Sequence, residues 1–296
     1  MIARPRTLAA RVWRRVRRVP RIPAAMVLVA LLGLGAAFFI LDKPVEPLVA
    51  MKRELAKNGT VVLQGNTGKP RWHRFPIGGP ELTESLIGDR ACGFESINVC
   101  VVELYPEAPS DHFLVRADLR VAASRSNPDE APFGGLFVAG ETSVVSGDQN
   151  IARYNLSGLY FEEGPSIRKT RNFRFAALSV IQHPTILPGL RLAGLGSLQF
   201  TPSAVLPGPW RTFEIEVWQD RVIPRAVQSD GGKSDFAGGF GAANIQEQLD
   251  IQTRNLKNND AFAELPQSHW NPRGAIGVWG YKAAVDFRNV SIVVLP

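Results

Sequence analysis

From Thr60 onward, apolar residues recur at every second position far more often than at helical spacing, and this alternation constrains the fold more than any other feature. Phe113, Val115, Ala117, Leu119 and Val121 alternate with Leu114, Arg116, Asp118 and Arg120. Phe213, Ile215 and Val217 face one way, and Glu214, Glu216 and Trp218 the other. Phe173, Phe175 and Ala177 repeat the pattern, and Ile97 to Val102 reads as a strand buried on both sides. Successive side chains of a strand point to opposite faces, so these runs are strands with one face in a core. Val285, Phe287, Val290 and Ile292 do the same near the end, with Arg288-Asn289 disturbing the alternation as a bulge would. Leu136–Ala139, Leu159–Glu162, Ser197–Phe200 and Ala275–Tyr281 are further candidates. Eleven or twelve short strands without β/α alternation predict an all-β, two-sheet jelly-roll sandwich over residues 60–296. One stretch departs from this. Ala243–Lys257 is built of helix formers with Ile245, Leu249 and Leu256 on one side, inside an expected insertion around 231–272.

The N-terminus carries a different signal. Eight arginines fall within residues 1–22, and an uncharged run of 18 residues, 24–41, follows. As a helix that run is about 27 Å long, close to the hydrocarbon thickness of a bilayer. Residues 23–41 are therefore expected to form one transmembrane helix. The arginine excess keeps the tail in the cytoplasm and the bulk of the chain periplasmic or extracellular. A cleaved signal peptide is the alternative, although the basic region is long and small-x-small pairs lie inside the run rather than beyond it. Residues 42–59 read as a stalk, helical or flexible, ending at Asn58-Gly59.

Charge argues against nucleic acid. The formal net charge is +7, but the eight tail arginines leave 26 basic against 27 acidic residues elsewhere. The outer domain is near neutral, and the basic tail sits where lipid headgroups would be. The expected partners are a membrane, through residues 24–41, and a glycan or envelope protein. Cys92 and Cys100 are the two cysteines; outside the cytoplasm they are candidates for a disulfide across a turn, with two buried thiols as the alternative.

The segments PWRTFEIEVWQDRV (Pro209–Val222) and GAIGVWGYKAAVDFRNVSIVV (Gly274–Val294) resemble the closing strands of concanavalin A-like, laminin-G-like β-sandwich domains, including a 3-keto-disaccharide hydrolase-like group. The resemblance implies a sandwich fold, with Gly274 and Gly277 at close turns and Phe287 and Val290 in the core. That superfamily holds lectins, adhesion modules and glycosidases, so the fold does not choose an activity. Its two-carboxylate glycosidases place their acids on one strand as E-x-D-x-x-E. Here Glu214 and Glu216 share a face but Gln219 occupies the third position, so these two are weak catalytic candidates. No nucleophile, phosphate-binding or metal-ligand motif stands out, and no cofactor is expected. Aromatic plates and planar polar groups are what sugars meet, which makes Trp218 beside its carboxylates, and His269 and Trp270 in the insertion, the candidate ligand residues. The chain reads as a tethered binding module for a glycan or envelope partner, leaning away from catalysis. A glycoside hydrolase-like enzyme and a structural subunit of an envelope complex are the alternatives.

Overall fold

The computed structural model describes residues 45–296 apart from 66, 78, 85–89, 126–131, 145–150, 165–170, 184–185, 201–202, 228–231 and 237. The arginine-rich tail and the apolar run 24–41 lie outside the described residues. No helix among the described residues is long and apolar enough to cross a membrane.

Fifteen strands are described, and every pairing among them is antiparallel. The N-terminal members are β1 (Thr60–Val62), β2 (Thr83–Glu84), β3 (Cys92–Glu95), β4 (Val99–Tyr105) and β5 (Phe113–Ser124). Four long strands follow: β6 (Phe133–Val144), β7 (Ala152–Glu162), β8 (Arg171–His183) and β9 (Ile186–Phe200). Then come β10 (Arg211–Val217), β11 (Arg221–Val227), β12 (Lys233–Asp235), β13 (Phe240–Gly241), β14 (Ala275–Tyr281) and β15 (Ala283–Val294). One sheet runs β12-β11-β10-β5-β15-β3-β2, with β1 also on β15 and β13 on β11; the other runs β4-β14-β6-β7-β8-β9. The chain is an all-β, two-sheet sandwich.

The alternation read from the sequence is what packs the two sheets together. Phe113, Val115, Ala117, Leu119, Phe213, Ile215, Phe287 and Ile292 from the nine-stranded sheet meet Val102, Leu136, Leu159, Phe161, Phe175 and Val278 from the other. Phe161, Phe173 and Phe213 cluster at ring separations of 5.1 to 6.4 Å, within the range where aromatic pairs attract. Strand β4 is buried at every position, as expected, but it starts at Val99 and Ile97 is exposed in the preceding turn. The bulge expected at Arg288-Asn289 is present: the β15–β5 register shifts between Arg288 and Ser291, and Asn289 has φ 54°.

The six-stranded sheet is apolar on its second face too. Val99, Val101, Phe137, Tyr154, Leu156, Tyr160, Leu178 and Trp279 form a separate buried cluster there.

Two α-helices lie among the described residues. The first, α1 (Val45–Asn58), covers the expected stalk, and its Met51 and Leu55 are buried in the main core. It therefore packs with the sandwich rather than standing apart from it. The second, α2 (Ala242–Lys257), matches the expected insertion helix, with Ile245, Leu249 and Leu256 buried.

Candidate functional site

The site is built on the outer face of the nine-stranded sheet, where β10 places its polar residues. Because Phe213, Ile215 and Val217 take the core side, Glu214, Glu216 and the following Trp218 must point away from it. Register sets what they meet. Glu214 lies opposite Arg116 of β5 and Arg225 of β11, so opposite charges face each other across three strands. Glu214 accepts a hydrogen bond from Lys233 Nζ at 2.6 Å and lies 3.5 Å from Arg116. Glu216 receives Arg225 at 2.7 Å and the Trp218 indole N–H at 2.8 Å, with His112 Nε2 at 3.1 Å. The His112 ring stacks on Trp218 with centroids 3.4 Å apart, and its Nδ1 lies 2.7 Å from the Pro296 backbone oxygen. Arg221 lies over the same indole at 5.1 Å.

Trp218 is consequently not an open plate. Its ring already carries His112 and Arg221, and its N–H is committed to Glu216. It holds Glu216 and His112 in place, and the groups turned toward solvent are planar donors and acceptors.

Glu216 meets only one of the two requirements of two-carboxylate chemistry. A glycosidase with two carboxylates keeps one protonated as the acid and one ionised. Burial raises the Glu216 carboxyl, but hydrogen bonds from Arg225, His112 and Trp218, with the charge of Arg225, outweigh it and hold it below the ordinary 4.5. A carboxyl held low in the fold stabilises fully above its ordinary pKa, and the benefit is lost as pH falls through the folded value. Glu216→Gln is therefore expected to flatten the acid limb of the stability–pH curve, read by urea unfolding between pH 3 and pH 7. An unchanged acid limb would mean that this pairing adds nothing to stability.

One carboxyl is raised. Glu163, at the end of β7, is pushed up by burial against the opposing effect of Arg211, which donates to Oε1 at 2.9 and 2.7 Å. It is fully buried, and Oε2 faces Gly208 so closely that a Cβ there would collide with it. Sealed in this way, Glu163 cannot reach a substrate.

The other expected ligand residues are held apart from this cluster. Trp270 is partly buried against the main core, and its backbone N–H donates to Gln246 Oε1 of α2 at 2.8 Å. It fastens the insertion to the sandwich rather than offering a plate. His269 is exposed. The insertion does reach the same end of the sheet as Trp218: Ala242 N–H donates to the Asp220 carbonyl, and Arg273 pairs with Asp111, next to His112.

The structure corrects the disulfide expectation. Cys92 and Cys100 are separate buried thiols, Cys92 in the nine-stranded sheet opposite Phe287 and Cys100 in the six-stranded sheet opposite Gly280. Burial pushes the Cys100 thiol up to about 12, so it stays protonated and inert at neutral pH.

His112, Arg116, Arg225 and Lys233 were not singled out from the sequence. Arg116 was visible as an outward residue of an alternating strand; its meeting with Glu214 required the β5–β10 register.

No family model and no curated protein matches the chain. Among solved structures it is similar to a CBM66 carbohydrate-binding module from Bacillus subtilis, at 9% identity and TM-score 0.39, over 75% of this chain and 94% of that one. A legume lectin-like domain from Entamoeba histolytica is similar at 9% identity and TM-score 0.37, over 76% and 91%. The GH43 protein BlXynB of Bacillus licheniformis is similar at 10% identity and TM-score 0.40, over 81% of this chain and 40% of that one.

Proposed function

We propose that the protein is a membrane-tethered β-sandwich that binds a glycan outside the cytoplasm, through the outer face of its nine-stranded sheet, without cleaving it. The observation that carries this reading is the closure of Glu214 and Glu216 into pairs with Lys233, Arg116 and Arg225. Cations fixed by buried carboxylates form a preorganised array of donors, which is what reading hydroxyl groups requires. The tether is supported by the eight arginines and the 18-residue apolar run, a pattern that favours an outer location for the residues that follow.

Trp218→Ala tests the assignment. It removes the ring on which His112 rests and the donor that orients Glu216, so retention on a glycan surface is expected to be abolished while expression and far-UV circular dichroism are unchanged. Retention equal to wild type would remove Trp218 from the site.

A further inference from the structure

The paired charges on this face are not set at equal depth. The Glu214 side chain is 2% exposed, whereas Arg116 and Lys233, which both lie on it, are 50% and 49% exposed. Glu216 and Asp118 are likewise deeper than Arg225 and Arg288. The Arg120–Asp286 pair is buried on both sides, and at the β3 edge the Glu95 side chain is more exposed than its partner Arg125, so the pattern is confined to the part of the face around β10. Solvent therefore meets cations on this part of the face, with the acids beneath them.

The stoichiometry is also uneven. Two cations share one carboxylate at Glu214, a local surplus of one positive charge. Among the described residues Arg116 approaches an acid only at that 3.5 Å distance, so most of its five guanidinium donors remain available. Lys233 gives one hydrogen bond to Glu214 and has two further donors. The exposed acid in this row is Asp235, which lies beyond Arg225 from Arg116 but shares strand and face with Lys233, two residues away.

We propose that Arg116 and Lys233 form a subsite for an anionic group of the glycan, a carboxylate or a sulfate, with Glu214 as the buried counter-charge that holds the two cations side by side. This rests on the glycan-binding reading and narrows it to acidic glycans. A guanidinium beside an ammonium offers a fork and a point charge to a planar or tetrahedral anion. Glu214 is a positioning residue here. It also competes with the ligand for both cations.

That competition supplies a test with opposite signs. Full-length protein in detergent is titrated calorimetrically with tetragalacturonate, its methyl ester and a sulfated neutral tetrasaccharide. Arg116→Gln and Lys233→Gln are each expected to weaken binding of the acidic sugar about fivefold. Glu214→Gln is expected to strengthen it severalfold, because both cations are released. Arg125→Gln, which removes an exposed arginine paired with Glu95, is expected to change nothing. The methyl ester should bind weakly and respond to none of these changes. Preference between tetragalacturonate and the sulfated sugar identifies the anion. Weaker binding by Glu214→Gln in a protein with unchanged circular dichroism, or equal binding of acid and ester, would overturn the subsite and leave glycan binding standing. Failure of every sugar to bind, charged or esterified, would remove both.

Discussion

Gly277→Ala is expected to destabilise the sandwich by about 3 kcal/mol, at the upper end of what overpacking costs. Gly277 sits within β14, where its register shifts against both β4 and β6. A Cβ at this position would collide with the Val102 carbonyl oxygen and approach the Phe137 ring to 2.8 Å. The carbonyl belongs to a paired strand and cannot swing aside as a surface side chain could. A domain of this size loses about 2–4 °C of Tm per kcal/mol, so the melting temperature should fall by roughly 6–12 °C. Gly194→Ala is the matched control. It too lies in a strand, but nothing stands within 4 Å of its Cβ direction, and it is expected to be nearly neutral. Equal melting of the two variants would mean that β14 does not pack between its neighbours as described.

The second large effect runs the other way. Arg153, on β7, is fully buried beneath α2. Its partners are hydroxyls: Ser179 Oγ at 3.0 and 3.3 Å and Thr253 Oγ1 at 2.8 Å, with no carboxylate among the described residues. Burial pulls the guanidinium down to about 10, a shift that expresses the cost of holding a charge away from water without a counter-ion. Arg153→Met fills much of the volume and leaves no orphan donor, since the single Ser179 hydroxyl proton still has Asn155 Oδ1 and Gln252 Oε1 as alternative acceptors, and Thr253 still donates to the Leu249 carbonyl. Replacing a poorly compensated buried charge by an apolar side chain of similar size is often stabilising. We expect a gain of about 2 kcal/mol, seen as a higher melting temperature. A clear loss would mean that the Arg153 hydrogen bonds hold α2 on the sheet more strongly than desolvation opposes them.

The same buried polar layer explains what the sequence concealed. Strands β5, β10 and β15 were legible because each buries one face under apolar residues and wets the other. Strand β7 was read only from Leu159, although it begins at Ala152. Its core-side positions there are Arg153, Asn155 and Ser157, all buried; Arg153 meets Thr253 of α2 and Asn155 meets Ser268. Tyr154 and Leu156 alternate with them on the sheet's second face, whereas Leu159 and Phe161 take the core face, so the apolar side switches within the strand. Helix α2 itself was legible from its own periodicity, yet nothing in that periodicity announced the buried polar layer it covers. The site follows the same rule. Glu214, Glu216 and Trp218 could be placed on one face from local spacing alone. The groups that decide their chemistry come from β5, β11, β12 and the segment before β5, so their approach depends on pairing between distant segments, 104 residues apart in the case of His112 and Glu216. The packing of Met51 and Leu55 was hidden for another reason, because a short amphipathic helix after an apolar run reads equally well as a free stalk.

The most direct test of the central claim is a glycan-array screen of the full-length protein, with reducing-sugar release assayed on every hit. Retention on acidic glycans with no release of reducing ends is expected, since Glu214 and Glu216 are both held by cations. Release of reducing sugar that disappears in Glu214→Gln or Glu216→Gln would contradict it.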